Sequence, residues 1–408
     1  MDRVRECWSH DYAIIRFADA CLRGVGQVWL MNNPLSGLLF LVAIVVADPW
    51  WGVSATVGTV AATGASWALG LPRAARAAGL HGYNGALVGV ALAVFGWGTH
   101  GPGFPGPGVA LGWLLLLPVA LVAALSTLVT AAVGAALARA RTGLCPLTLP
   151  FQLATWAWLL QAYQSPYFPV HHRVEPGLLA QHGGWDFVPG DGAKQWSPPG
   201  YYAPPHGVLR GAAEASLRGL AQVFLLPSTW SGALSLLALA VHTRIGAALA
   251  LGGSVAGFLT AASLGLTAST SAGPGVYDGL YGYNAALTAL CVGGLMYVPT
   301  NWRVVALALA SAVTATIFTG AAAGFLQVAG LPALTFPFVA ATWTFQLLGG
   351  AADKRYFVPV AVADMTTPEE HLARWKTEQA REPPSAVDAA TDPDDRGGAV
   401  DTGVVVVV

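Results

Sequence analysis

Charge is what this chain has least of. Asp, Glu, Lys and Arg make up only 10% of its 408 residues, where a soluble domain carries about 25%. With 55% hydrophobic residues and a mean hydropathy of +0.56, this excludes an ordinary soluble domain and predicts an integral membrane protein. The few charges nearly cancel, at a formal net charge of −1, and form no basic patch. Nucleic acid is therefore not an expected partner, whereas the lipid bilayer is. Cysteine is equally sparse: Cys7, Cys21, Cys145 and Cys291 have no ligand-like spacing, so no metal or other cofactor is expected. A cleavable signal peptide is not expected either, because Arg3, Arg5, Glu6, Asp11, Arg16 and Asp19 leave no apolar stretch at the start. The apolar segments also lack a Ser-His pair or paired carboxylates, which excludes an intramembrane enzyme.

What is present is greasy and duplicated. Runs at 35–47, 51–71, 108–138, 234–262 and 304–328 predict spanning helices, each needing about 20 apolar residues. Gly, at 49 residues, and Pro, at 27, suit close helix packing and helices broken inside protein. The segment DACLRGVGQVWLMNNPLSGLLFL (19–41) returns as EASLRGLAQVFLLPSTWSGALSL (214–236), about 195 residues later. GLHGYNGALVGVAL (79–92) returns as GLYGYNAALTALCV (279–292), and LTLPFQLATWAWLL (147–160) as LTFPFVAATWTFQL (334–347). A duplicated membrane unit usually builds one pathway between its halves, so polar residues kept in both copies are the candidates to line it.

The chain divides into a membrane repeat (1–163), a polar connector (164–208), a second membrane repeat (209–355) and a charged tail (356–408). The tail predicts a short amphipathic helix followed by disorder. Loop arginines and lysines sort cleanly: Arg73, Arg76, Arg139, Arg141, Arg244, Arg303, Lys354 and Arg355 fall on one side with the N-terminus. That predicts cytoplasmic termini and an extracellular connector. The loops 98–107 and 328–333 fall on the other side. An odd span count per repeat turns the second copy upside down relative to the first.

Helix breakers at Gly-Tyr-Asn and Thr-x-Pro-Phe recur in both copies and predict backbone groups freed at membrane depth. These are tolerated only when buried in protein or lining a cavity. The repeated polar set, Gln27/Gln222, Asn84/Asn284 and Thr148/Thr335, is neutral throughout. The lack of an ionisable residue there argues against a coupled or ion-conducting path. It favours passive movement of a small neutral solute. Gln and Thr oxygens accept N–H bonds, which suits a flat amide. Asn84, Asn284 and His81 read as structural, His81 because its counterpart is Tyr281. A water or glycerol channel would need paired Asn-Pro-Ala-like signatures, and only Asn33-Pro34 occurs. An ammonia channel fits the neutral path but lacks paired pore histidines.

RGVGQVWLMNNPLSGLL, GLHGYNGALVGV and LTLPF, with their second copies, resemble the urea transporter family in its bacterial, channel-like form, over roughly 10–355. The resemblance implies an all-α integral membrane protein with two inverted repeats of about five transmembrane helices each. It adds a re-entrant half-helix per repeat, a central pore per protomer and a homotrimer in the cell membrane. The implied activity is passive transport of urea, with an ammonia or small-amide channel as the alternative. By motif position, Gln27 and Gln222 are implied at outer and inner sites, Thr148 and Thr335 at the narrow middle, Leu87 and Leu287 as constricting leucines, and Tyr83 and Tyr283 as aromatic plates. Urea would enter near Tyr83 and Leu30. Some relatives carry Glu where this chain has Gln222, and Phe where it has Leu30 with Trp29 adjacent. The first threonine motif also shifts its leading proline by one: LCPLTLPF against LPALTFPF.

Overall fold

The structure, a computed structural model, describes residues 13–96, 110–164, 207–265, 269–270, 273–274 and 276–381. Most of the connector, the 98–107 loop, Cys7 and the tail beyond 381 lie outside the described residues. Apart from the two-residue strands Ser269–Thr270 and Gly273–Pro274, which pair antiparallel, the regular elements of the described chain are helical. The first half holds α1 (Ala13–Gln27), α2 (Pro34–Ala47), α3 (Pro49–Ala68), α4 (Arg73–Ala77), α5 (Tyr83–Gly96), α6 (Leu116–Arg139) and α7 (Leu149–Ala162). The second holds α8 (Val208–Ala221), α9 (Thr229–His242), α10 (Arg244–Ser263), α11 (Gly282–Leu290), α12 (Trp302–Gln327) and α13 (Phe336–Leu348). A π-helical turn, Cys291–Met296, extends α11, and α14 (Pro368–Arg381) ends the described chain.

Polar residues start these apolar helices because the first backbone N–H groups have no intrahelical partner. Asn33 caps α2 by accepting from Leu35 N at 2.9 Å, ahead of Pro34. Asp48 caps α3 through Trp50 N at 2.7 Å, and Asn301 caps α12 through Arg303 N at 2.8 Å. Thr243 caps α10 through Gly246 N at 2.9 Å. This last cap corrects an expectation. The 234–262 run is one hydropathy peak but two helices, because Thr243 is extended and restarts the chain there.

Three described helices, Trp113–Arg139, Arg244–Ser263 and Trp302–Leu326, are long and apolar enough to cross a membrane alone. The pair Val208–Phe224 and Thr229–His242 bends by 75° at its break. The shorter apolar helices include α2 and α5, 14 residues each. At 1.5 Å per residue these reach only about 21 Å, short of a hydrocarbon layer of about 30 Å. Among the described residues, long apolar helices thus stand beside half-length ones. Large side chains such as Leu117, Leu121 and Phe325 stand exposed on the outside, where lipid would cover them.

α5 and α11 form the centre. Every α5 residue from Asn84 to Gly96 is buried, as is all of α11. A helix that is apolar all round belongs inside. Small residues let its neighbours approach: a Cβ on Gly58 of α3 would lie 2.1 Å from the Gly85 carbonyl oxygen of α5. Gly58→Ala is expected to push the two helices apart and to cost about 1–3 kcal/mol, as overpacking does. Thermal unfolding of the purified protein checks this.

The two halves are joined by reciprocal bonds. Ser36 Oγ donates to Ala238 O at 2.8 Å, and Ser231 Oγ donates to Ala43 O at 2.9 Å. Trp156 Nε1 donates to Pro332 O at 2.9 Å, and Trp343 Nε1 to Cys145 O at 2.8 Å. The shifted proline leaves this pairing intact, because Cys145 and Pro332 each offer a backbone carbonyl to the other half's tryptophan. Trp29 is fully buried in this seam. It stacks on Phe40, whose ring in turn meets that of Phe224.

The tail begins as part of the body rather than apart from it. Val298 N donates to Val358 O and Val360 N to Met296 O, while His371 Nδ1 lies 3.0 Å from Gly294 O. Glu369 accepts from Thr243 Oγ1 at 2.6 Å and from Ile245 N at 2.9 Å, which clamps α14 onto the start of α10. Burial pushes the Glu369 carboxyl up, but these bonds prevail and hold it below the ordinary carboxylate range. A depressed carboxylate stabilises above its unfolded pKa and loses that contribution as pH falls through its folded value. Protease sensitivity of the 356–381 segment is therefore expected to rise as pH falls below the ordinary carboxylate range, and Glu369→Ala to be sensitive already at neutral pH.

Candidate functional site

The site is built from breaks that match between the halves. α1 ends at Gln27, and Leu30 follows in the left-handed region at φ 62°. Leu225 stands at the equivalent place after Gln222, at φ 59°. Gly79 (φ 74°) and Gly279 (φ 81°) open the next breaks, and a Cβ on either would lie 2.4 Å from a backbone nitrogen, Gly24 N or Gly219 N. Only glycine satisfies both the dihedral and the space. Leu147 (φ 49°) and Leu334 (φ 46°) precede Thr148 and Thr335, where α7 and α13 begin. Left-handed leucines are strained conformations that persist only when their surroundings hold them.

Those surroundings are visible. Tyr83 donates its hydroxyl to Leu147 O, and Tyr283 donates to Leu334 O at 2.6 Å. Asn84 Nδ2 donates to Thr130 Oγ1 and Asn284 Nδ2 to Thr319 Oγ1, both at 3.0 Å, in keeping with a structural role. Gln27 Nε2 donates to Ala78 O and Gln222 Nε2 to Asp278 O, both at 2.9 Å. Because a carbonyl accepts only from the NH2 end, each glutamine's orientation is settled and its Oε1 remains an acceptor.

The threonines differ. Thr148 and Thr335 are buried, each 3% exposed, yet neither Oγ1 has a hydrogen-bond partner. Neither bonds back to its own chain, although Thr288, Thr316 and Thr319 in neighbouring helices do. Leaving a buried hydroxyl unpaired costs about 1–3 kcal/mol.

A cavity of about 1620 Å³ brings Gln27, Leu30, Tyr83 and Thr148 together. It reaches from Arg16, Arg73, Arg76 and Glu370 down to Leu147 and Phe338. Gln222, Tyr283, Leu287, Thr335 and Leu87 do not line it. Leu87 and Leu287, each 1% exposed, are packed in the core, and Thr335 lies beside the Tyr283-bonded Leu334. The cavity also sets two expectations against each other. Gln27 shares it with Arg73, Arg76 and the α14 residue Glu370, and α14 is clamped beside Arg244. Gln27 thus opens on the arginine-bearing face, and it cannot be the outer glutamine while that face is cytoplasmic. Motif order and loop charge are independent signals, and only the packed structure brings them into conflict.

Sequence reasoning missed two groups. Arg23 Nη1 donates to Asn32 O and Oδ1 at 3.0 and 2.9 Å, while its Nε pairs with Asp19 at 2.7 Å. Its counterpart Arg218 reaches Tyr277 O at 3.0 Å and Thr229 Oγ1 at 3.1 Å. These guanidiniums fasten the first break of each half, and the repeated Leu-Arg-Gly was their signal. The second group is Gln152, Thr155 and Thr342, all fully buried with unpartnered polar atoms. Gln152 and Thr155 follow Thr148 by four and seven residues, the spacing of one helix face. Gln152→Val, which copies Val339 of the second half, is expected to raise stability by about 1–3 kcal/mol. A lower melting temperature would instead mean that Gln152 is paired through a buried water.

An all-helical apolar fold with neutral polar groups buried at duplicated breaks defines a membrane transport protein. The comparisons narrow that class. The family model described as "UT: Urea transporter" matches residues 18–350. The chain belongs to the urea transporter family. It is similar to Urea transporter 1 of Capra hircus, at 29% identity over 358 residues, 88% of this chain and 83% of that protein. Urea transporter 1 of Mus musculus is 29% identical over 356 residues, covering 87% and 83%.

Proposed function

We propose that this chain carries urea passively across the cell membrane along a path that runs between its two halves, from the Gln27 cavity past Thr148 and Thr335 to Gln222. Passive urea transport is the activity of its family, and the chain is a transporter rather than an enzyme. The observation that carries the path is the pair of buried threonine hydroxyls with no partner. A urea molecule stripped of water would satisfy both. Gln27 and Gln222 accept urea N–H groups at the two mouths, while Leu87 and Leu287 keep the middle narrow and dry. The reciprocal cross-half bonds support an inverted repeat with an approximate twofold axis.

Loop arginines favour a cytoplasmic α14 face, so Gln27 marks the inner mouth and Gln222 the outer, reversing the order implied by the motifs. A homotrimer with one path per protomer completes this reading. Stopped-flow urea efflux from proteoliposomes, with ammonia and water permeability run in parallel, tests it. Fast saturable urea flux with little ammonia flux is expected; ammonia flux without urea flux would reject urea as the solute.

A further inference from the structure

His81 is one of the positions where the two halves do not match. It follows Gly79 in the first half, and its counterpart after Gly279 is Tyr281. Tyr281 packs in a small apolar cluster with Phe258, Val276 and Ala261. His81 instead lines the cavity that contains Gln27, is only 9% exposed, and neither of its ring nitrogens has a hydrogen-bond partner. An imidazole kept for packing alone would leave two polar atoms unsatisfied, a cost that a polar occupant of the cavity removes.

The chemistry of Gln27, which lines the same cavity and bonds the chain at Ala78, three residues before His81, says which occupant. Gln27 spends an N–H on Ala78 O, so it presents an acceptor to the cavity. A planar amide carries a carbonyl as well as N–H groups, and the carbonyl needs a donor. A neutral imidazole supplies one N–H donor and one lone-pair acceptor. We propose that His81 and Gln27 form a solute subsite present only in the first half, in which His81 donates to the carbonyl oxygen of the amide while Gln27 accepts its N–H. This rests on the urea path proposed above, and it names a specificity-determining residue beyond the duplicated set.

The test compares urea with thiourea, whose sulfur is a poor acceptor, in proteoliposomes of the full chain carrying His81→Phe or His81→Gln. His81→Phe is expected to raise the half-saturating urea concentration about threefold to tenfold, the value of one hydrogen bond. Thiourea flux should change little, and His81→Gln, which keeps a donor, should restore the urea value. Unchanged urea saturation in His81→Phe would overturn the subsite. So would an equal loss for both solutes, which would mark a packing role. Wild-type protein without urea flux would fail the transport reading itself, a result distinct from either.

Discussion

Replacing Thr148 and Thr335 together by valine is expected to cut urea flux about a hundredfold without loss of stability. Valine keeps the shape of threonine and removes one oxygen. Neither Oγ1 makes a hydrogen bond within the fold, so folding loses nothing with it. Urea crossing a dry constriction would lose one acceptor at each position. A hydrogen bond in a water-excluded site is worth about 1.5 kcal/mol at the upper end of its usual range, or about tenfold in rate per threonine. The single variants should each fall about tenfold. Efflux assays on the two singles and the double decide the matter, and wild-type flux in the double mutant would remove the threonines from the mechanism. A fall in melting temperature would show that the hydroxyls serve the fold instead.

Tyr83→Phe and Tyr283→Phe should do the opposite, lowering stability first and flux as a consequence. Each tyrosine hydroxyl holds the carbonyl of a left-handed leucine directly before one of the two unpartnered threonines. Losing that donor leaves a buried carbonyl unpaired at a cost of about 1–3 kcal/mol, and it lets the strained leucine relax and carry the threonine with it. The two should not be equal. Leu334 O also accepts from Asn284 Nδ2 at 3.1 Å, whereas Leu147 O has only Tyr83 among the described residues. Tyr83→Phe is therefore the more damaging. Calorimetric unfolding alongside flux gives the order, and equal or reversed losses would mean that the tyrosines do not hold these leucines.

The duplicated motifs were a good guide to where the chain breaks. Gly-Tyr-Asn and Thr-x-Pro-Phe each mark a helix start, because glycine and proline act on their own backbone and need no distant partner. Hydropathy was a poorer guide to helix boundaries. The 234–262 run hides the restart at Thr243, since a single capping hydroxyl hardly alters an average over apolar neighbours. Nor could the sequence say where Trp29 turns: its ring lies in the seam between the halves, a direction set by Phe40 and Phe224 from other segments.

What the sequence determined by itself is local and compositional: a helical membrane protein, two copies of one unit, and the breaks with their neutral polar residues. Its similarity to relatives then supplied the family. Tertiary structure decided which polar atoms are already satisfied. The amide ends of Gln27 and Gln222 are spent on carbonyls about fifty residues away in the chain, while the hydroxyls of Thr148 and Thr335 and the ring of His81 are left open. It also decided that Gln27 faces the arginine side. The physical reason is that a hydrogen bond belongs to a pair, and the partner of a side chain at a broken helix is chosen by packing between distant segments.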